Sequence, residues 1–275
     1  MNSHLGRLIY GGLLVLSVPF WNTLQAATGP ATIIDVSGGC DNSTAERTNL
    51  AAALTSAGYT VTTITTGVVP SDLTGQKQVW DIRCTSALTG PESIVFTAYL
   101  VSGGSLFLMG ENTGFGAARD ATLISYISAV GGGSLTLTAT ANSQTAQSPF
   151  TGPTTLSTLS YRAVGGTTTA GTGAFVTQDT SGYGGAIVFG PGSLSSAPSG
   201  TLIIVWDVNF MDGSRTVGET ALLDNLIAYL AAPVPIGTPT VPTVPTAPAL
   251  SPRSMVVLSL LLGCAGSLLL RRRFA

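Results

Sequence analysis

Strand-like and helix-like segments alternate along the first half of this chain, and this alternation most constrains its fold. A β-rich apolar run at 31–36 is followed by Ser43-Thr44-Ala45-Glu46, which is typical of a capping box and predicts a helix ending before Gly58. Further strands are predicted at 59–64, 79–82 and 105–109, and helices at 91–103 and 117–130. Such alternation favours a mostly parallel sheet covered by helices on both faces.

The second half of the chain has a different character. Residues 131–200 are rich in Thr, Ser and Gly, and the short β-like segments 135–141, 174–178 and 186–189 predict hairpins beside or extending the sheet. The sequence does not assign the order of these strands. A strongly apolar strand at 201–208 and a second capping box, Thr216-Val217-Gly218-Glu219, then return to the βα pattern. We therefore expect an α/β fold, a mostly parallel three-layer sheet with a β-rich insertion.

The two ends of the chain have compositions that differ from the body. Residues 1–27 combine Arg7, an apolar run and small residues before position 28, which is typical of a signal peptide, and the only histidine, His4, lies there. Residues 28–232 form the body, and the Pro/Thr-rich stretch 233–252 is typical of an extended linker. Residues 253–275 hold an apolar run followed by Arg271, Arg272 and Arg273, which predicts a transmembrane helix whose arginines stay on the cytoplasmic side.

The last segment resembles a known bacterial sorting signal. Pro248, Leu250 and Ser251 match the IPTL-CTERM signal, a relative of PEP-CTERM, at the expected spacing, and the apolar run and arginines follow in the same order. Ala247, Ala249 and residues 252–254 depart from that pattern. The resemblance implies export across the inner membrane of a Gram-negative cell, contact with export machinery and a sorting protease, and a location in the cell envelope or at the outer surface. An ordinary C-terminal membrane anchor is the alternative.

Charge excludes one class of partner. All acidic residues lie between Asp35 and Asp224, whereas Arg7, Arg253 and the three terminal arginines lie outside the body. The body is therefore acidic, and because an acidic surface repels phosphate backbones, we expect no nucleic-acid partner.

The body also resembles a fold family. Residues 103–110 and 200–210, taken with the βα layout, resemble the class I glutamine-amidotransferase-like fold, which is related in layout to flavodoxin-like folds. Catalytic members carry a Gly-x-Cys-x-Gly turn, and the matching turn here is Gly110-Glu111-Asn112-Thr113-Gly114. An amide cannot ionise or attack a carbonyl, and residues 28–275 hold no histidine to act as base, so we expect no enzyme of the Cys-His or Ser-His type.

Polar residues follow three of the predicted strands and form the candidate site. Because α/β folds bind ligands beyond the carboxyl ends of their strands, Asp35, Glu111, Asn112, Asp207 and Asn209 are candidate ligands of a neutral, hydroxyl-rich molecule or a cation. The alternative is that these residues cap helices and satisfy loop amides. The spacing in 207–213 departs from an EF-hand loop, and no P-loop or dinucleotide motif is present, so we predict no metal site and no cofactor.

Two cysteines lie in the exported body. With the usual 2-1-3 strand order, Cys40 and Cys84 follow neighbouring strands, and an oxidising compartment favours a disulfide between them.

Three functions remain open: a surface-displayed structural or binding domain associated with exopolysaccharide, a carboxylate-only hydrolase of glycosidase type, and a purely mechanical part of an assembly.

Overall fold

The computed structural model describes residues 29–35 and 43–231. The strands are β1 (Gly29–Ile34), β2 (Tyr59–Ile64), β3 (Gln78–Asp81), β4 (Ser105–Met109), β5 (Leu137–Ala139), β6 (Ser143–Ala146), β7 (Thr158–Ser160), β8 (Gly165–Thr167), β9 (Ala174–Gln178), β10 (Ala186–Phe189) and β11 (Thr201–Val205). The helices are α1 (Ser43–Ser56), α2 (Pro70–Leu73), α3 (Gly90–Val101), α4 (Ala117–Ala129) and α5 (Val217–Ala231), with a 3-10 helix at Val208–Met211.

The main sheet is mixed, with one parallel and one antiparallel half. Its strand order is β2-β1-β3-β4-β11-β10-β9-β6-β7. The pairs from β2 to β11 are parallel, which confirms the predicted 2-1-3 order, and those from β10 to β7 are antiparallel. A separate two-stranded sheet joins β5 to β8. The insertion at 131–200 thus extends the parallel sheet on the far side of β11.

Helices cover both faces of the parallel half, because its strands are apolar on both sides. On β4, Phe107 and Met109 point into one core with Leu50 and Leu54 of α1 and the buried face of α5. Leu106 and Leu108 point into the other core, which holds the buried residues of α3 and α4. The alternation of side chains along each strand therefore supplies both layers of core at once.

Some predicted boundaries are wrong. The last strand ends at Val205, not 208, because Asp207 caps the 3-10 helix by accepting a bond from the amide of Asn209 at 2.8 Å. The predicted segment 135–141 reduces to three residues, and β6, β7 and β8 were not predicted.

The terminal segments lie outside the described part of the chain. Within residues 29–35 and 43–231, none of the helices has the length and hydropathy that a membrane span requires. Four predicted features lie outside the described residues: the signal peptide at 1–27, the linker at 233–252, the sorting residues Pro248, Leu250 and Ser251, and the transmembrane helix with Arg271, Arg272 and Arg273. They stay predictions.

Candidate functional site

The carboxyl ends of the parallel strands meet at one edge of the sheet, which we call the carboxyl edge. Asp35 follows β1, Glu111 follows β4 after one glycine, and Asp207 follows β11 after Trp206. Since β4 pairs in parallel with β11, Glu111 and Asp207 lie on neighbouring strand ends. All three carboxylates are buried.

Glu111 connects the ends of two strands. Its Oε2 accepts a hydrogen bond from the backbone N–H of Val208 at 3.0 Å, and its Oε1 accepts one from the N–H of Asn112 at 3.0 Å. The Asn112 side-chain amide also donates to Oε1. Both carboxylate oxygens are therefore used to fix the backbone after β4 and after β11.

Asp207 holds two loops in the same way. Its Oδ1 accepts from the backbone N–H of Asn209 at 2.8 Å, and its Oδ2 accepts from the N–H of Arg162 at 3.1 Å. The Asn209 side chain donates to Asp212 at 3.4 Å. Four of the five predicted site residues thus lie together in one hydrogen-bonded cluster, and their side chains mostly satisfy loop amides.

Asn112 lies in the turn 110–114, which was matched by sequence to the nucleophile turn of the resembled family, and its side-chain amide is hydrogen-bonded through both Nδ2 and Oδ1. Nδ2 donates to the carbonyl of Ala163 at 3.1 Å, and Oδ1 accepts from the N–H of Gly114 at 2.9 Å. No non-glycine residue in the described ranges has a positive φ, so this turn lacks the strained backbone that presents a nucleophile. The local geometry here is that of an Asx turn.

Asp35, the fifth predicted site residue, has a different partner. Its Oδ2 forms an ion pair with Arg47 of α1 at 2.5 Å. The structure therefore places Asp35 at the carboxyl edge as predicted, but ties it to the first helix and not to the cluster around Glu111.

Three carboxyl groups around the ends of β4 and β11 have raised pKa values. Burial, followed by the charge of Glu111, raises the pKa of Asp207 to about 7. Burial also raises the pKa of Glu111 itself. Asp120, whose Oδ1 accepts from the N–H of Glu111 at 2.9 Å, has its pKa raised to about 7 by burial and then by the Glu111 charge. Each of these buried carboxyls therefore opposes the ionisation of its neighbours.

Glu46 belongs to the same region, although it was not among the predicted site residues. It was assigned to a capping box, but its side chain is 0% exposed and both of its oxygens lack a hydrogen-bond partner. The sequence does contain a signal: Glu46, Leu50 and Leu54 recur every four residues and share one helix face, which is the buried one.

A second charged cluster lies at the end of β3. Arg83 pairs with Asp81 at 2.7 Å and with Glu92 at 2.6 Å, and the fully buried Arg119 reaches Asp81 at 3.1 Å. Burial opposes the ionisation of Asp81, but the charges of Arg119 and Arg83 outweigh it and lower the pKa of this carboxyl. These side chains were not predicted to interact, since their pairing depends on the order of β3 and β4 in the sheet.

Cys84 is buried just beyond β3 at the carboxyl edge, as the strand order predicts. Its predicted partner Cys40 lies outside the described residues, so the disulfide stays a prediction. Across the described ranges, no three His, Cys, Asp or Glu residues are arranged to hold a metal ion.

The fold is of the mixed α/β sheet type, and ThuA-like structures are among those that it resembles. The N-terminal domain of mmIFT52 matches with a TM-score of 0.58 at 12% identity, over 73% of this chain and 97% of that domain. A ThuA-like protein from Parabacteroides merdae ATCC 43184 matches with a TM-score of 0.50 at 9% identity, over 74% of this chain and 91% of its own. A ThuA-like protein from Bacteroides uniformis ATCC 8492 gives a TM-score of 0.46 at 13% identity, over 74% and 91% of the two chains.

At these identities the likeness concerns the fold alone. It agrees with the glutamine-amidotransferase-like layout inferred from the sequence. No protein-family model and no curated protein matches this chain.

Proposed function

We propose that this chain is an exported, envelope-anchored, non-catalytic domain with a structural or binding role, associated with extracellular polysaccharide. The non-catalytic part of the proposal rests on one observation: the polar side chains of the carboxyl edge are already hydrogen-bonded to the protein's own loops. Both oxygens of Glu111 and both of Asp207 accept N–H donors, and the Asn112 amide is bonded at both ends. Groups held in this way fix loops and have little freedom to attack a substrate.

Exposed residues next to this edge support the choice of a neutral, hydroxyl-rich polymer as the ligand. Phe115, on the loop between β4 and α4, is 45% exposed, and the adjacent Thr113 and Gly114 are exposed as well. An exposed ring offers an apolar face on which a sugar can lie, and hydroxyl groups beside it can bond the sugar's own hydroxyls. The sequence alone gave no reason to select Phe115, because aromatic residues are scattered along it.

The location part of the proposal depends on the terminal segments and is tested by cell fractionation with intact-mass measurement. We expect a mature protein that lacks residues 1–27 and is found in the envelope fraction. Replacing Arg271, Arg272 and Arg273 together by Ala should change the sorting or processing of the tail, whereas Arg215→Ala in the body serves as the matched control. An uncut chain, dissolved in the cytosol without detergent, would contradict the proposal.

A carboxylate-only hydrolase remains the second candidate, because Asp207 is a neighbour of Glu111 and its pKa is raised to about 7, as a general acid requires. Release of reducing ends from a neutral exopolysaccharide separates the two functions. We expect the wild-type chain to release no reducing ends. We also expect it to be retained on a column of the same polymer, and Phe115→Ala should weaken this retention. Reducing ends that appear with the wild type and disappear with Asp207→Asn would favour the hydrolase.

A further inference from the structure

Three helices of this domain begin with the same Ser/Thr-x-x-Glu pattern, but only two of them close the capping box. In α3, the Glu92 carboxylate accepts from the N–H of Thr89 at 3.0 Å, and in α5 that of Glu219 accepts from the N–H of Thr216 at 2.6 Å. In α1 the third glutamate, Glu46, makes neither this bond nor any other. Because α1 already includes Ser43, Glu46 stands one residue further into its helix than Glu92 and Glu219 do, and its side chain lies in the protein interior.

The surroundings of Glu46 are acidic. The carboxylates that act on it are, in decreasing order of effect, those of Asp212, Asp35, Asp207 and Glu111. An ionised Glu46 would be a fully buried anion without a hydrogen-bond donor among other anions, which is one of the most costly arrangements in a protein.

The nearby cations are already paired. Arg47, beside Glu46 on α1, binds Asp35 at 2.5 Å, and Arg162 binds Asp212 at 3.3 Å. The elements that pack on α1 are β1, β2, the 3-10 helix and α5. The titratable groups on or flanking these elements are acidic or phenolic: Asp35 after β1, Tyr59 on β2, Asp207 and Asp212 at the two ends of the 3-10 helix, and Glu219, Asp224 and Tyr229 on α5. Arg215, on the loop between the 3-10 helix and α5, donates from Nε to Thr220 at 3.1 Å. None of the acidic or phenolic groups can supply a positive charge.

We propose that Glu46 binds a proton in the native state and acts as a pH-operated latch between α1 and the 3-10 helix. While the proton is bound, the neutral carboxyl stays inside, and the start of α1 rests on the 3-10 helix. When the proton leaves to solvent, the carboxylate must reach water, and the start of α1 separates from the 3-10 helix.

The contacts that would break are identifiable. Asn49 of α1 donates from its side chain to the carbonyls of Met211 and Asp212, at 2.9 and 3.0 Å. Because Asp207 and Asp212 flank this short helix, opening of the latch would also loosen the carboxyl edge. The position of α1 is in this way coupled to the proposed binding region.

The pH at which the latch acts follows from the environment of Glu46. Burial, and then the charges of Asp212 and Asp35, raise the pKa of Glu46 from 4.5 to about 8. The closed form, which holds the proton, is favoured below the ordinary pKa, and this advantage is lost as pH rises through about 8. If the open form titrates with the ordinary pKa, the opening equilibrium rises up to about ninetyfold between pH 6 and pH 9.

Two measurements on the full chain in detergent test the latch. Carboxyl ¹³C NMR of the wild type should give Glu46 a titration midpoint well above that of an ordinary glutamate, and it needs no variant that could fail to fold. Hydrogen exchange, corrected for the intrinsic pH dependence of the amide rates, should show protection of α1 falling by tens of fold from pH 6 to pH 9. Protection of α3 should change much less.

Two variants separate the latch from a general effect of pH. Glu46→Gln cannot ionise, so its α1 protection should stay nearly constant across this range. Glu92→Gln, in the closed box of α3, is the matched control and should keep the wild-type response of α1. Three results would overturn the proposal. The first is an ordinary titration midpoint for Glu46, and the second is a high midpoint with protection of α1 that does not change with pH. The third is a pH response of α1 protection in Glu46→Gln equal to that of the wild type.

Discussion

Replacing Asp81 by Asn should destabilise the domain more than any other single change in the charged cluster at the end of β3. Asp81 is 0% exposed and accepts bonds from Arg83 Nε at 2.9 Å and Arg83 Nη2 at 2.7 Å, while Arg119 Nη2 lies 3.1 Å away. The variant keeps the shape of the side chain, but it removes the charge and turns one acceptor into a donor that faces other donors.

The magnitude follows from what remains around Arg119. This guanidinium is also 0% exposed, and without the Asp81 carboxylate it keeps backbone carbonyl acceptors, those of Met109 at 2.7 Å, Ser86 at 3.0 Å and residue 81 itself at 3.5 Å. Breaking one side of a buried ion pair costs about 3–5 kcal/mol. For a domain of this size, each kcal/mol lowers the melting temperature by about 2–4 °C, so we expect a drop of roughly 6–20 °C.

Thermal unfolding of the full chain, followed by circular dichroism in detergent, measures this loss. Glu92→Gln is the matched control: it removes the other carboxylate bound by Arg83 but leaves Asp81 to both arginines, so its cost should be smaller, about 1–3 kcal/mol. Because the folded pKa of Asp81 is lowered, its contribution is present above the ordinary pKa and disappears as pH falls through the folded one. The difference between wild type and Asp81→Asn should therefore shrink in strong acid. A melting temperature for Asp81→Asn at or above that of Glu92→Gln would refute this reasoning.

Two further changes test other parts of the fold. In Gly110→Ala, the new Cβ would lie 2.4 Å from Cε3 of the buried Trp206, so we expect a loss of about 1–3 kcal/mol in thermal unfolding, whereas Gly67→Ala, with nothing within 4 Å, should be nearly neutral. Non-reducing peptide mapping should recover Cys40 and Cys84 in one cross-linked peptide pair. This disulfide should stabilise the fold by about 3 kcal/mol or more. Two alkylatable thiols in the native protein would contradict the pairing.

Local sequence signals predicted the bounds of several strands well, in both halves of the sheet. The bounds of β2 at Tyr59–Ile64 and β4 at Ser105–Met109 agree with the predicted ones, as do those of β9 and β10. These segments are short apolar or β-branched runs between turn residues. Their first and last residues can therefore be predicted from the residues directly beside them. The order of the first three strands, β2-β1-β3, was expected because it is usual in such folds, whereas the places of β4 and β11 were not predicted.

The parts that were missed depend on distant contacts. β6 and β7 contain polar residues, and they exist because the insertion folds back on β9, which no local pattern reports. The closing box of α5 was predicted, but the same pattern in α1 gave a wrong expectation for Glu46. In α1 the helix face that packs on the sheet includes the glutamate, and this tertiary placement overrides the local cap.

The place of β11 in the sheet has a consequence for the order in which the domain can assemble. This strand is parallel to β4 on one side and antiparallel to β10 on the other, yet it comes near the end of the body. Until residues 201–205 have been synthesised and are free to pair, β4 has one open edge, and the hairpin of β9 and β10 lacks the strand that connects it to the parallel half of the sheet. A polypeptide that lacks residues 201–205 would therefore keep an open edge on β4, and an open strand edge favours aggregation.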